Sequence, residues 1–373
     1  MKVLHFYKTY LPDTIGGVAQ VINQLAKGTK KLGVHHEILS LSPSKNKKTI
    51  TIDGHLVHQS HTNFEIASTP FSFSAFSQFK KLAKQADIIH YHFPYPFADI
   101  LHLFVRINKP CLVSYHSDII KQKYLLKLYR PLMRHFLSSV DNIVAASPNY
   151  LKTSDVLSQY KNKTSVIPYG LDKNSYPIPK AKKLKYWKDK FPSRFFLFIG
   201  VLRYYKGLHI LLDVACNCEY PIVIVGAGLK EAELKKQAHR LGIKNIHFVG
   251  FLPDEDKVAL LQLCYSLIFP SHLRSEAFGI SLLEGAMYGK PLISCEIGTG
   301  TSFVNIDKET GIVVPPSDPA ALRKAMDYLW DNPKEAAIMG RRSEKRYEIL
   351  FTAEKMSQSY FELYKKLYAL QKN

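Results

Sequence analysis

The sequence predicts two tandem α/β domains, each a doubly wound, Rossmann-like parallel sheet. Short apolar strand candidates alternate with helical stretches along almost the whole chain, the pattern of a parallel sheet with helices on its faces. The 373 residues exceed what one hydrophobic core usually covers,. The alternation breaks once, across the basic, proline-containing stretch Tyr176 to Pro192. This divides the chain into a first domain, 1–175, a linker, 176–192, and a second domain, 193–350. Residues 351–373 are expected to form a C-terminal helix packing back towards the first domain.

Taken in order, the first domain reads as Val3 to Tyr7 (strand), Val18 to Leu32 (helix), His36 to Leu41 (strand), Phe76 to Lys84 (helix), Ile88 to His92 (strand), Ala98 to Ile107 (helix), Cys111 to Tyr115 (strand), Tyr124 to Leu137 (helix) and Asn142 to Ala146 (strand). The second resumes with Phe195 to Ile199, Leu208 to Ala215, Ile222 to Val225, Leu229 to Leu241, Ile246 to Val249, Lys257 to Leu263, Leu267 to Phe269, Ile280 to Met287, Pro291 to Ser294 and Ala320 to Asp331. In open sheets of this kind ligands sit beyond the carboxyl ends of the strands.

Composition narrows the function. With 46% apolar and 22% charged residues the chain is globular. No apolar run reaches the roughly 18 to 20 residues needed to cross a bilayer, and Met1 to Phe6 is too short and strand-like for a secretory signal. A cytoplasmic protein is therefore expected. Five cysteines, Cys111, Cys216, Cys218, Cys264 and Cys295, are an odd number lying mostly in apolar segments, which fits free buried thiols better than a disulfide framework. The net charge of +20 is uneven: residues 1–180 hold 23 Lys and Arg against 10 Asp and Glu. A nucleic acid, an anionic membrane surface or an anionic substrate could each account for it. The stretch Lys121 to Leu137 mixes basic and large apolar residues at helical spacing, as an interfacial helix on lipid head groups does, although an ordinary amphipathic helix has the same look. No nucleic-acid-binding module accompanies it, so nucleic acid ranks last.

The chemistry concentrates around two glutamates, Glu276 and Glu284, which bracket an apolar segment where an unpaired carboxylate is costly. Pro270 to Ser275 reads as a turn from a strand into a helix starting near Gly279, whose free N–H groups and positive dipole end suit a phosphate. A second loop, Gly200 to Gly207, follows a strand and carries Arg203 and Lys206, two cations able to neutralise a diphosphate. Gly16 and Gly17 allow close backbone approach to a phosphate or sugar at the start of a helix. His90 and His92 share one strand face and could be mistaken for metal ligands; lining of a ligand cleft is the better reading. Asp254, Glu255 and Asp256 open a helix, where acidic residues belong, so no divalent metal is required.

These motifs, in this order, resemble the retaining glycosyltransferases of family 4, which have the GT-B fold, two Rossmann-like domains facing a central cleft. The matching segments are Gly16-Gly17-Val18, Ser114 to Asp118, Ser165 to Gly170, the Arg203 and Lys206 loop, Val225 to Gly228, Phe248 to Phe251, the spaced glutamates, Gly298 to Thr301 and Gly311 to Pro316. The resemblance implies that Arg203 and Lys206 hold the donor diphosphate, that Glu276 faces the sugar, and that Glu284 binds ribose hydroxyls. Phe278, Gly279 and Ile280 would line sugar and phosphates, Gly250 and Phe251 would join the donor site, and His116 would lie near the sugar. Asp118 and His92 are acceptor-side candidates, Asp118 alternatively a helix cap. The chain departs from the family in one place: many members carry an arginine directly after the glycine matching Gly200, where Val201 stands here.

The same motifs look closest to bacterial O-antigen mannosyl- and rhamnosyltransferases that use GDP-sugars. The resemblance implies GDP-mannose as donor, no cofactor or metal, and an oligosaccharide on a polyprenyl diphosphate as acceptor in lipopolysaccharide O-antigen or other surface polysaccharide synthesis. It also implies a peripheral place on the anionic inner face of the cell membrane. A UDP-sugar donor is the alternative within the fold, and an inactive nucleotide-sugar-binding protein the alternative outside the enzyme class. A nicotinamide-dependent oxidoreductase is disfavoured, because Glu231 stands where the dinucleotide fingerprint after Val225 needs its third glycine,.

Overall fold

In the first half of the chain the five expected apolar runs become β1 Lys2–Phe6, β2 His35–Ser42, β7 Ile88–Phe93, β8 Cys111–Tyr115 and β9 Asn142–Ala145, and five further strands join them: β3 Lys48–Ile52, β4 His55–His61, β5 Phe64–Ile66, β6 Thr69–Phe71 and β10 Thr164–Val166. Between them run the helices α1 Gly17–Lys30, α2 Phe73–Gln85, α3 Pro96–Val105, α4 Lys123–Ser139 and α5 Pro148–Thr153. The structure, a computed structural model, describes residues 1–14, 16–45, 48–105, 107–119 and 123–370. Lys121 and Gln122, which opened the expected interfacial helix, lie outside the described residues. The chain forms two units, Met1–Gly170 with Ala353–Asn373, and Leu171–Thr352.

The sheet of the first unit has the order β10-β9-β8-β7-β1-β2-β4-β3, parallel throughout except for the edge strand β3. β7 is buried at every position, as a central strand covered on both faces must be, and so its His90 and His92 need internal partners. The hairpin β3–β4 turns through Asp53 and Gly54, both at positive φ, a two-residue turn whose twist suits a hairpin. A search for apolar runs passes over these two strands because they are rich in His and Thr; the Asp-Gly pair was the signal that marks them.

The second unit holds α6 Ala181–Lys190, β11 Phe196–Ile199, α7 Leu208–Ala215, β12 Ile222–Val225, α8 Glu231–Arg240, β13 Ile246–Gly250, α9 Asp254–Leu263, β14 Ser266–Phe269, α10 Ile280–Met287, β15 Leu292–Cys295, α11 Thr301–Val304, β16 Gly311–Val314, α12 Pro319–Asp331 and α13 Pro333–Leu350. Its sheet is fully parallel in the order β13-β12-β11-β14-β15-β16. Phe196, Phe198, Ile222, Ile224 and Ile268 build its core with Leu211, Met326 and Leu329 of the covering helices.

The expected linker 176–192 is corrected here. Its middle is α6, a helix of the second unit, and the boundary falls at Gly170–Leu171. α6 reads as a linker because Trp187 alone in it is buried. That one residue anchors it: the Trp187 indole N–H donates to Asp256 at 2.8 Å, and Lys183 pairs with the same carboxylate at 2.8 Å. Leu171 N–H donates to the Phe351 carbonyl at 2.9 Å, so the chain enters and leaves this unit at one place. The last helix, α14 Ala353–Leu370, belongs to the first unit. There the Tyr360 and Tyr364 hydroxyls reach Ser114 and His90, each at 2.8 Å.

Candidate active site

In the second unit the chain runs β11, β12, β13 in one direction across the sheet, then returns to the other side of β11 as β14. The carboxyl ends of β11 and β14 are thus the topological switch point, where open α/β sheets bind ligands. The two loops read as chemical in the sequence, Gly200 to Gly207 and Pro270 to Gly279, leave from these two ends. Gly207 is at φ +72°, and a Cβ there would lie 2.0 Å from the Pro270 carbonyl oxygen. Only glycine lets the two loops come so close. His272 N–H donates to the Tyr205 carbonyl at 3.0 Å and ties them together.

That contact brings Lys206 and Glu276 within 2.6 Å, both side chains about nine-tenths buried. Ser271 Oγ lies 3.5 Å from the same Glu276 oxygen, and the Lys206 ammonium sits 4.5 Å from the centre of the Phe269 ring. Arg203, on the same loop, is exposed, as is Val201, while Leu202 between them is fully buried. Gly279, at φ +93°, is the N-cap of α10, a conformation that glycine adopts without strain. Phe278 is buried, and the Gly298 to Thr301 segment holds its backbone in place: Gly300 N–H donates to the Ala277 carbonyl at 2.9 Å. At the end of β13, Gly250 has φ +75° and Phe251 is 74% exposed.

Glu284 lies on the second turn of α10, its side chain 5% exposed. Its Oε1 accepts from the Tyr176 hydroxyl and the Lys257 ammonium, each at 3.0 Å. Burial, then the Glu284 charge, push the Tyr176 phenol up, so it remains a donor. Burial works against the charge on Lys257, but Glu284 and Asp254 outweigh it and hold its pKa above the usual value. Sequence reasoning missed both partners: Tyr176 fell in the supposed linker and Lys257 in an ordinary helical turn. The acidic run beside Lys257 is spent on the protein itself. Asp254 pairs with Lys257 at 3.0 Å, Glu255 accepts from Lys180 N–H at 3.0 Å, and Asp256 holds Lys183 and Trp187.

In the first unit Gly16 caps α1 with extended backbone, and the nearest atom to a Cβ there would be Thr14 Oγ1 at 3.8 Å; Gly17 is the first helical residue. His116 follows β8 and is buried, with Nε2 2.9 Å from His92 Nδ1 and Nδ1 2.5 Å from the Tyr169 hydroxyl. Burial, and then the Lys8 charge, lower its pKa to about 3. His92, the other acceptor-side candidate, is 2% exposed, with its nitrogens paired to His116 and His5. Asp118 Oδ1 accepts from the Tyr115 and Ser154 hydroxyls at 2.8 and 2.7 Å, which braces the loop after β8. One ring nitrogen from each of His5, His90 and His92 lies within 4.8 Å of the other two, but all six nitrogens of these rings already have hydrogen-bond partners: His36, His92, Tyr364, Ser114, His116 and His5.

Comparison with known proteins fixes the family. Residues 15–175 match the model described as Glycosyltransferase Family 4, and residues 182–346 that of Glycosyl transferases group 1. A D-rhamnosyltransferase of Pseudomonas aeruginosa is 60% identical over 353 residues, 95% of this chain and 93% of its own. The O-antigen chain mannosyltransferase C of Escherichia coli is 51% identical over 364 residues, 98% of each chain. The chain belongs to glycosyltransferase family 4. Among solved structures, sucrose-phosphate synthase from Thermosynechococcus elongatus superposes with a TM-score of 0.79 at 18% identity, covering 99% of both chains. The Anabaena protein HepE, solved with UDP-glucose, does so with 0.78 at 18% identity, covering 98% of this chain and all of its own. The glycosyltransferase thus has the GT-B fold, built from two Rossmann-like parallel-sheet domains.

Proposed function

We propose that this glycosyltransferase transfers a mannose from GDP-mannose, with retention of configuration, onto a polyprenyl-diphosphate-linked oligosaccharide during O-antigen or related surface polysaccharide synthesis. The observation that carries the reaction class is the buried Lys206–Glu276 pair at the switch point of the second sheet. In this reading Lys206 and Arg203 take the donor diphosphate, helped by the N–H groups at the start of α10, with Phe278, Gly279 and Ile280 lining sugar and phosphates. Glu276 then faces the sugar and stabilises the positive charge that builds on it as the bond to phosphate breaks. The departing phosphate accepts the acceptor's proton, and the new bond forms on the face it leaves. Glu284 offers its Oε2 to the ribose hydroxyls, Gly250 and Phe251 border the base, Gly16 and Gly17 approach the phosphate or sugar, and Asp118 serves the acceptor. The reaction needs no metal in this reading, since the acidic run at the start of α9 is committed to Lys183, Trp187 and Lys257.

Two relatives support the choice of sugar. The mannosyltransferase at 51% identity favours mannose, and the D-rhamnosyltransferase at 60% identity favours its 6-deoxy counterpart as the second reading. A panel of GDP-mannose, GDP-D-rhamnose, UDP-N-acetylglucosamine, UDP-galactose and UDP-glucose, scored by donor hydrolysis, is expected to show GDP-mannose consumed fastest. Fastest turnover of GDP-D-rhamnose would select the second reading, and fastest turnover of a UDP-sugar would overturn the donor assignment.

The acceptor's anionic carrier and the membrane surface also explain the basic first domain. No helix among the described residues is long and apolar enough to cross a membrane. α4 instead exposes Tyr124 by 86% and Leu128 by 82%, with Lys127, Arg130 and Arg134 exposed on the same helix. Apolar side chains flanked by cations suit the head-group region of an anionic bilayer, which would place the enzyme on the inner face of the cell membrane, on its cytoplasmic side. Sedimentation with anionic liposomes at low salt is expected, and Tyr124→Glu with Leu128→Glu should abolish it. Equal sedimentation of wild type and variant would remove α4 as the contact.

A further inference from the structure

Four buried histidines of the first unit form one hydrogen-bonded chain whose direction is set at its far end. Thr29 Oγ1 lies 2.7 Å from the Leu25 carbonyl oxygen, which can only accept, so the Thr29 proton points there. Thr29 Oγ1 must then accept from His36 Nε2, 2.5 Å away. A neutral imidazole carries one proton, so each ring passes the constraint on. His36 Nδ1 accepts from His5 Nε2 at 2.8 Å, His5 Nδ1 from His92 Nε2 at 2.9 Å, and His92 Nδ1 from His116 Nε2 at 2.9 Å. His116 Nδ1 is left as an acceptor, and the Tyr169 hydroxyl, 2.5 Å away, donates to it. Running the chain the other way would leave two oxygens 2.7 Å apart with no proton between them.

We infer that Thr29, His36, His5 and His92 are positioning residues that lock His116 in its Nε2–H tautomer, leaving Nδ1 able to accept from a hydroxyl. The inference rests on the proposed glycosyl transfer and on the expectation from the sequence that His116 lies near the donor sugar. On that reading a sugar hydroxyl takes the place of the Tyr169 hydroxyl, while a deoxy position or an acceptor-only group gains nothing there. Burial keeps the chain neutral: it lowers His36 and His116 to about 3, puts His5 and His92 well below the usual histidine range, and keeps the proton on Tyr169. His90 stands outside the chain, since its nitrogens go to Tyr364 and Ser114.

Long-range proton–nitrogen spectra of the full chain labelled with ¹⁵N-histidine test this directly. His5, His36, His92 and His116 are all expected as Nε2–H tautomers. Thr29→Val should mix the tautomers at His116 and lower kcat about tenfold, the scale of one misdirected hydrogen bond, while Thr29→Ser should restore both. An Nδ1–H form of His116 in the wild type, or tautomers unmoved in Thr29→Val, overturns the lock. Finding the lock intact while His116→Ala consumes donor at the wild-type rate would overturn only the sugar-facing role of His116, so the two failures are distinguishable.

Discussion

Glu276→Ala is expected to lower turnover at least about a hundredfold, the scale of removing one preorganised charge contact from a transition state. The geometry makes this substitution act twice. It deletes the carboxylate proposed to stabilise the sugar, and it strips Lys206 of a partner 2.6 Å away in a site where both side chains are about nine-tenths buried. An unpaired buried cation costs stability on the order of 3 kcal/mol, so a loss of activity alone would be ambiguous. The double variant Lys206→Met, Glu276→Leu separates the effects, because replacing both members of a buried pair by apolar side chains of similar volume is often neutral. It is expected to melt near the wild-type temperature and still transfer no sugar. Near-normal turnover of Glu276→Ala would remove this residue from the chemistry.

The parallel sheets were legible because most of their strands are short apolar runs, and the glutamate loop because a carboxylate at either end of an apolar segment needs a reason. What stayed hidden depends on partners distant in sequence. Lys206 and Glu276 are 70 residues apart, and nothing in either segment says that Gly207 will lie against Pro270. Tyr176 and Trp187 are single anchors in polar stretches, so neither gives a periodic signal, and the stretch holding both read as a linker. The histidine chain draws on Thr29, His36, His5, His92 and His116 from one helix, three strands and the loop after β8. Only the register of β1 between β2 and β7, which sets His5 beside His90 and Val3 beside His36, brings those rings to one face.

Glu284→Gln should separate binding from chemistry in the opposite sense to Glu276. Its carboxylate sits on α10 beyond the glycine cap, fixed by Tyr176 and Lys257 at 3.0 Å each, and its proposed partner is the ribose, away from the bond that breaks. An interaction equal in ground and transition states changes KM and leaves kcat alone. The donor KM is therefore expected to rise about tenfold, the scale of weakening a hydrogen bond to a charged group, with kcat almost unchanged. Because GDP retains the ribose, its dissociation constant measured by calorimetry should rise by the same factor, whereas Glu276→Ala, which frees Lys206 for the diphosphate, should not weaken GDP binding. Lys257→Met checks that the carboxylate and not the local packing is responsible: it frees Glu284 from one partner while keeping its charge, and should weaken GDP less than Glu284→Gln does. GDP affinity unmoved by Glu284→Gln would take the ribose contact away from Glu284 and leave this carboxylate as a purely structural partner of Lys257.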